Sequence, residues 1–197
     1  DNEATMFPGN PELCDGLDNN CDGSADAAQQ APIILATDPG LPFGASPTSV
    51  SSTVTFSSPA IVTDINVTVD VSHVWNSDVR IRLFSPNYLA IPSGSPIGTY
   101  LVSGAGGDSD DFTNTVFDDQ ANESINSGIG PFTGSWIPNQ PFTPHFGPTA
   151  GDWTLEVSDN YASADDGVFN SWSIELGFGN ETDNDLDGSL ACEDCDD

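Results

Sequence analysis

Lysine is missing from this sequence, and basic residues of any kind are scarce. The 197 residues hold two arginines, Arg80 and Arg82, against 31 acidic residues, which gives a net charge of −29. Nucleic-acid binding needs several cations to displace phosphate counterions, and attachment to anionic membranes needs them too, so the composition argues against both. Chemistry that depends on a lysine, such as Schiff-base formation, is excluded as well.

Long apolar runs and acid–base residues are also in short supply. No segment approaches 18 continuous apolar residues, so we expect no membrane-spanning helix. Two histidines and one methionine leave few groups for acid–base catalysis or for binding soft metals. The hydrophobic fraction of 37% still allows an ordinary core. We therefore expect a folded protein without enzymatic activity, in which divalent cations offset the repulsion between carboxylates.

Composition divides the chain into three parts. Residues 1–30 and 179–197 concentrate acidic side chains and hold all four cysteines. Residues 31–178 are rich in Val, Ile, Thr, Ser, Phe and Trp, with many Gly and Pro residues between them. We expect a single folded domain over residues 31–178, flanked by two acidic segments of a different kind.

The central part has the period-two pattern of β-strands. Apolar residues alternate with polar ones from Ile61 to Val71, and shorter alternations follow at residues 79–83, 153–157 and 168–176. Val50, Val54 and Phe56 indicate another strand, and residues 31–35 could form a first strand of this domain or extend a neighbouring copy's sheet. Turn residues separate these runs. The fold class predicted is all-β, an antiparallel sandwich or barrel. Residues 104–151 have few strand signals, and we expect a long loop held by metal there.

Both ends contain calcium-loop spacing. Acidic residues at positions 1, 3 and 5, Gly188 at position 6, and a carboxylate at position 12 are typical of an EF-hand-type loop. The predicted ligands in this C-terminal segment are Asp183, Asp185, Asp187, Ser189 and Asp194. The same spacing recurs at residues 18–23. The predicted ligands in this N-terminal segment are Asp15, Asp18, Asn20, Asp22 and Asp26. The cofactor expected is therefore Ca²⁺, with several ions per chain.

The four cysteines form two close pairs, Cys14 with Cys21 and Cys192 with Cys195. Their neighbours are hard carboxylates, which favours disulfides made in an oxidising compartment over a cysteine-rich zinc site. Four cysteines allow three connectivities. Pairing within each segment and pairing between segments both stay open, as does a bond to a neighbouring copy.

Several ordered motifs of the central part resemble the P domain of proprotein convertases. They are residues 61–73, 76–86, 115–121, 151–160 and 165–174, within a resemblance that covers roughly residues 45–177. The resemblance implies a jelly-roll β-sandwich that often binds Ca²⁺, and it places loop carboxylates at Asp78, Asp118, Asp119, Asp159 and Asp165. His73 lies where that family commonly carries histidine, and we expect a packing or hydrogen-bonding role for it. His145, in a Pro- and Phe-rich loop, is also interpreted as structural.

The two ends, read tail to head, resemble one continuous copy of the MopE-type metal-binding motif of bacterial surface proteins. Each end alone is an incomplete copy. The leading interpretation is an extracellular, calcium-stabilised structural repeat that assembles head-to-tail with itself, into a fibre or a surface stalk. Whether the copies belong to one chain or to separate subunits stays open.

Three other functions are weighed against this one. The chain could be an accessory module of a secreted subtilisin-like protease. It could be an adhesin for a glycan or a cell-surface ligand, with residues 104–151 as the binding loop. Binding of copper or another transition metal is the last, and the shortage of histidine and methionine argues against it.

Overall fold

The computed structural model describes residues 32–57, 61–86, 98–148, 150–161 and 165–178. The acidic segments 1–30 and 179–197, with their predicted ligands and cysteines, lie outside the described residues, so the predicted domain boundaries stay predictions. Within the described part, strands dominate, and no helix is long and apolar enough to cross a membrane. The strands are β1 (Ile33–Thr37), β2 (Leu41–Phe43), β3 (Ser49–Phe56), β4 (Ile61–Ser72), β5 (Val79–Phe84), β6 (Thr99–Ser103), β7 (Phe112–Asp118), β8 (Phe132–Trp136), β9 (Gly147–Pro148), β10 (Gly151–Asp159) and β11 (Gly167–Phe178).

The described strands form two sheets. The larger sheet has the order β1-β11-β4-β7-β8, with β2 also paired to β11 and β9 to β4. The smaller sheet has the order β3-β10-β5-β6. The pairings in these sheets are antiparallel, except that β7 and β8 run parallel. The expected all-β sandwich is therefore confirmed.

Alternating apolar residues build the core between the sheets. Along β4, β5 and β10 every second side chain is buried, while the residues between them are more exposed. The buried residues of these strands include Ile65, Val67, Val69, Val71, Val79, Ile81, Leu83, Trp153, Leu155 and Val157. Burying one such side chain away from water contributes about 1.5–3 kcal/mol to the stability of the folded state. The predicted strands in these three segments are confirmed.

Three strands, β7, β8 and the two-residue β9, lie where a long loop was predicted. In β7 the buried residues Phe112 and Thr115 are three positions apart, because a register irregularity interrupts its pairing with β4. Asn114, between them, has φ of +46°, which is a left-handed conformation. In β8 only Phe132 is buried. Strands β7 and β8 therefore lack the regular alternation by which a strand is recognised in sequence.

The first and last described strands are neighbours. Ile33 of β1 lies opposite Leu176 of β11 in an antiparallel pair. Residues 33–37 thus form a strand of this sandwich, as one of the two alternatives predicted. Because paired strands lie about 4.8 Å apart, the chain enters and leaves the described sandwich side by side, at the same end.

Candidate metal centre

One group of predicted carboxylates lies where four strands begin or end. His73 follows β4, Asp78 precedes β5, Asp159 is the last residue of β10, and Asp165 lies two residues before β11. Asp159 is opposite Val79 in the smaller sheet. Ser72 is opposite Val168 in the larger sheet. The strand pairing thus brings side chains from distant parts of the sequence to one edge of the sandwich.

Three ligand atoms converge at this edge. One ligand atom each from His73, Asp159 and Asp165 lies within 4.8 Å of the other two. His73 Nε2 is 3.8 Å from Asp159 Oδ2, and both of these side chains are fully buried. None of His73 Nε2, Asp159 Oδ2 and Asp165 Oδ1 has a hydrogen-bond partner. Leaving buried polar atoms unpaired costs about 1–3 kcal/mol each, and a bound cation would remove that cost.

Backbone contacts hold these side chains in place. His73 Nδ1 lies 2.9 Å from Trp75 O and 3.1 Å from Trp75 N. The imidazole ring stacks on Phe43, with 5.7 Å between the centroids. Asp159 Oδ1 accepts a hydrogen bond of 2.7 Å from the Tyr161 N–H, which leaves Oδ2 for the cluster. The fold itself therefore orients the His73 and Asp159 side chains.

A cleft of about 330 Å³ lies beside the cluster, lined by Trp75, Asp78, Tyr161 and the cluster residue Asp165. Burial, and then the nearby carboxylates Asp165 and Asp159, raise the pKa of Asp78, while His73 acts in the opposite direction. Asp78 is thus close enough to the cluster to feel its charge. An ion could reach the cluster from this side.

The other two predicted carboxylates form a separate group at the end of β7. Asp118 is opposite Asn66 of β4, and Asp64 lies two residues earlier on the same face of that strand. Asn66 is seven residues from His73, so the two groups are roughly 20 Å apart along the strand. The structure therefore divides the five predicted carboxylates of the sandwich between two places.

Oxygen atoms alone make up this second group. Asp119 Oδ2 accepts a hydrogen bond of 2.8 Å from the Phe142 N–H. Asp119 Oδ1, Asp64 Oδ1 and Asn66 Oδ1 are buried without a hydrogen-bond partner. Burial raises the pKa of Asp119; the Phe142 hydrogen bond lowers it, and Asp118 and Asp64 raise it further. A set of carboxylate and amide oxygens suits Ca²⁺.

Three residues with a place in these groups had no such role predicted from sequence. His73 was expected to pack or to hydrogen-bond, and Asp64 and Asn66 occupy the outward positions of an alternating strand, where polar residues are common. The position of His73, directly before a loop that ends in Asp78, was the available signal.

The second histidine lies in the interior. His145 is fully buried, with Nδ1 2.8 Å from Ser85 Oγ and Nε2 2.7 Å from Thr99 Oγ1. Its burial lowers the pKa of the imidazole to about 4. A substrate could not reach this Ser–His pair without unfolding the domain around it, and the contacts fit the predicted structural role.

Comparisons with known proteins add a match in the N-terminal segment. Residues 1–27 match the family model of the MopE-type metal-binding motif. No curated protein matches the chain. Among solved structures, the serine protease of Aeromonas sobria and the same protease in complex with a chaperone are each 18% identical, with TM-scores of 0.39 and 0.38. The matches cover 77% of this chain and 28% of each protease chain. At these TM-scores the likeness carries no argument about function. The chain carries a metal-binding motif of the MopE type at residues 1–27, and the ion that the motif binds stays a prediction.

Proposed function

We propose that the chain is an extracellular structural repeat without enzymatic activity, stabilised by Ca²⁺ and joined head-to-tail to further copies. The observation that carries this proposal is the presence of buried side-chain oxygens without partners on Asp64, Asn66 and Asp119. A chain with a net charge of −29 and two arginines has few cations of its own to pair with them. Of these, Arg82 is already paired with Glu156 and lies against the rings of Phe84 and Tyr100.

Calcium is the ion that best fits the oxygen group of Asp64, Asn66, Asp118 and Asp119. Ca²⁺ takes six to eight oxygen ligands, and extracellular modules bind it at roughly 10⁻⁴–10⁻³ M. An ion that binds only the folded state stabilises it by about 2.7 kcal/mol at 100 times the dissociation constant. The folded module is then most stable where calcium is millimolar, as it is outside cells.

The joint between copies is assigned to the two terminal segments, which resemble complementary parts of one motif. Because β1 and β11 are neighbours, both segments start from the same end of the sandwich. A sandwich inserted in series between two joints would place them at opposite ends. We therefore propose that the sandwich extends sideways from the axis of the assembly. Cystine could close the joint within one chain or between chains.

The adhesin alternative receives less support from the described surface. An exposed aromatic cluster within residues 104–151 would favour it. Among the described residues of that region, the exposed large apolar side chain is Ile129, which is not aromatic. The exposed aromatic residues Trp75 and Tyr161 instead flank the candidate metal centre.

Electron microscopy of the full chain tests the proposal. Samples are imaged at millimolar Ca²⁺ and after chelation, each with and without a reductant. We expect filaments in Ca²⁺ that fray on chelation, and dissociation by the reductant alone would assign the joint to cystine between chains. Monodisperse particles in millimolar Ca²⁺ would refute self-assembly of this chain, and filaments insensitive to chelation would refute the calcium joint.

A further inference from the structure

We propose that the cluster of His73, Asp159 and Asp165 is a site for a divalent transition metal of the zinc class, with His73 Nε2 as a ligand. This inference rests on the proposed function only in that both require a bound cation. It assigns the cluster a different ion from the calcium predicted for Asp78, Asp159 and Asp165, and it gives His73 a binding role.

The contacts of His73 Nδ1 leave Nε2 free to bind a metal. If Nδ1 carries the proton, it donates to Trp75 O at 2.9 Å, and the lone pair of Nε2 faces the carboxylates. A ligating histidine almost always donates its other N–H in this way, often to a backbone carbonyl. In the other tautomer Nδ1 accepts from the Trp75 N–H at 3.1 Å. Nε2–H would then face Asp159 Oδ2 at 3.8 Å, which is too long for a hydrogen bond.

A histidine–aspartate ion pair alone does not account for the cluster. With His73 protonated, a contraction of the 3.8 Å separation would pair its Nε2–H with Asp159 Oδ2. Asp165 Oδ1 would still be buried without a partner. A cation at the centre contacts all three atoms at once, and this is the arrangement that their orientation favours.

The donor set decides between the metals. Ca²⁺ takes oxygen ligands at 2.3–2.6 Å, whereas imidazole nitrogen suits Zn²⁺ and its neighbours in the first transition series. Two ligands of a tetrahedral Zn²⁺ ion lie about 3.3 Å apart. The distance of 3.8 Å between His73 Nε2 and Asp159 Oδ2 therefore needs only a small contraction.

The open side of the cluster supplies the rest of the coordination sphere. Three protein ligands leave a fourth position, and the cleft that Asp165 and Asp78 line lies beside the cluster. Either Asp78 or a water molecule completes a tetrahedral site there. The shortage of histidine in the whole chain does not oppose this site, because one imidazole in the right place is sufficient for it.

Nuclear magnetic resonance of the full chain, labelled with ¹⁵N at histidine, tests the proposal. The two histidines give two sets of ring signals, so zinc bound by cysteines elsewhere does not obscure the result. Zn²⁺ is added to protein already saturated with Ca²⁺. We expect one ring to show metal-bound Nε2 and protonated Nδ1, and His73→Asn to lack that change while the His145 signals stay in place.

Variants of the carboxylates measure the affinity. Asp165→Asn is expected to lower the Zn²⁺ affinity, measured from the ring shift, by at least about tenfold. The control Asp108→Asn removes one exposed charge outside the cluster and should change the Zn²⁺ affinity less than about twofold. If Asp165→Asn does not fold, Asp159→Asn replaces it, because asparagine keeps an oxygen for the Tyr161 N–H.

Two results would overturn the inference, and both leave the proposed function separately testable. Zn²⁺ could leave both histidine rings unchanged, or Ca²⁺ alone could produce the same change at His73. Calcium-dependent stabilisation of the sandwich is measured in the same samples by thermal denaturation. If that stabilisation persists without a ring shift, only the zinc site fails; if it is also absent, the proposed calcium function fails too.

Discussion

Replacing Asp119 by asparagine should change stability in opposite directions with and without calcium. Asp119 Oδ2 accepts the Phe142 N–H, while Oδ1 is buried without a partner near Asp118 and Asp64. Burial and these two carboxylates raise the pKa of Asp119, so its negative charge is unfavourable in the fold without a cation. Asparagine keeps an oxygen for Phe142 and removes the charge. In a chelator, Asp119→Asn should therefore be more stable than the parent protein.

In calcium the variant should instead be less stable than the parent protein, because it has lost a carboxylate ligand. At 10 mM Ca²⁺ and a dissociation constant of roughly 10⁻⁴–10⁻³ M, the bound ion contributes about 1.4–2.7 kcal/mol. For a domain of this size, the parent protein should then melt roughly 3–11 °C higher than without calcium at this site. The variant should lose most of this increment.

The assay is thermal denaturation followed by circular dichroism, in chelator and over a calcium titration. Asp38→Asn is the matched control, because Asp38 is exposed in the turn after β1 and carries the same charge. The control should keep the full calcium response. An Asp119→Asn variant that gains as much from calcium as the parent, or that is less stable than the parent in chelator, would contradict the assignment of the oxygen group.

Two further predictions concern the interior. The pKa of His145 is lowered from 6.5 to about 4 by burial, so between these values the unfolded chain binds more protons than the fold does. The free energy of unfolding should fall by about 1.4 kcal/mol per pH unit as the pH drops from about 6.5 to 4, roughly 3 kcal/mol in all. Urea denaturation in chelator at several pH values should show this slope. The same slope in the His145→Gln variant would contradict the prediction. Gly167→Ala would place a Cβ 2.7 Å from both Ser72 O and His73 Cδ2. We therefore expect the free energy of unfolding, measured by urea denaturation, to fall by about 1–3 kcal/mol, and the zinc-dependent change at His73 to weaken. Unchanged stability would show that the backbone there can yield.

Regular alternation was sufficient to predict the strands that form the centre of the fold. In residues 65–71 of β4, 79–83 of β5 and 153–157 of β10 every second residue is apolar and buried, because successive side chains of a strand point to opposite faces. Strands β7 and β8 escaped prediction for the converse reason. A register irregularity at Asn114 and the sparse burial of β8 remove the period-two signal.

The sequence by itself determined that this protein is an all-β, strongly acidic chain with carboxylates gathered in its turns, because strand periodicity and net charge are local or additive properties. Tertiary structure alone decided which of those carboxylates meet. Asp159 and Asp165 converge on His73 with Asp78 nearby, while Asp118 and Asp119 lie with Asp64 and Asn66 on another part of the sandwich. Strand pairing between distant segments sets these neighbours, and a metal site depends on such neighbours because it needs several ligand atoms within a few ångströms of one point.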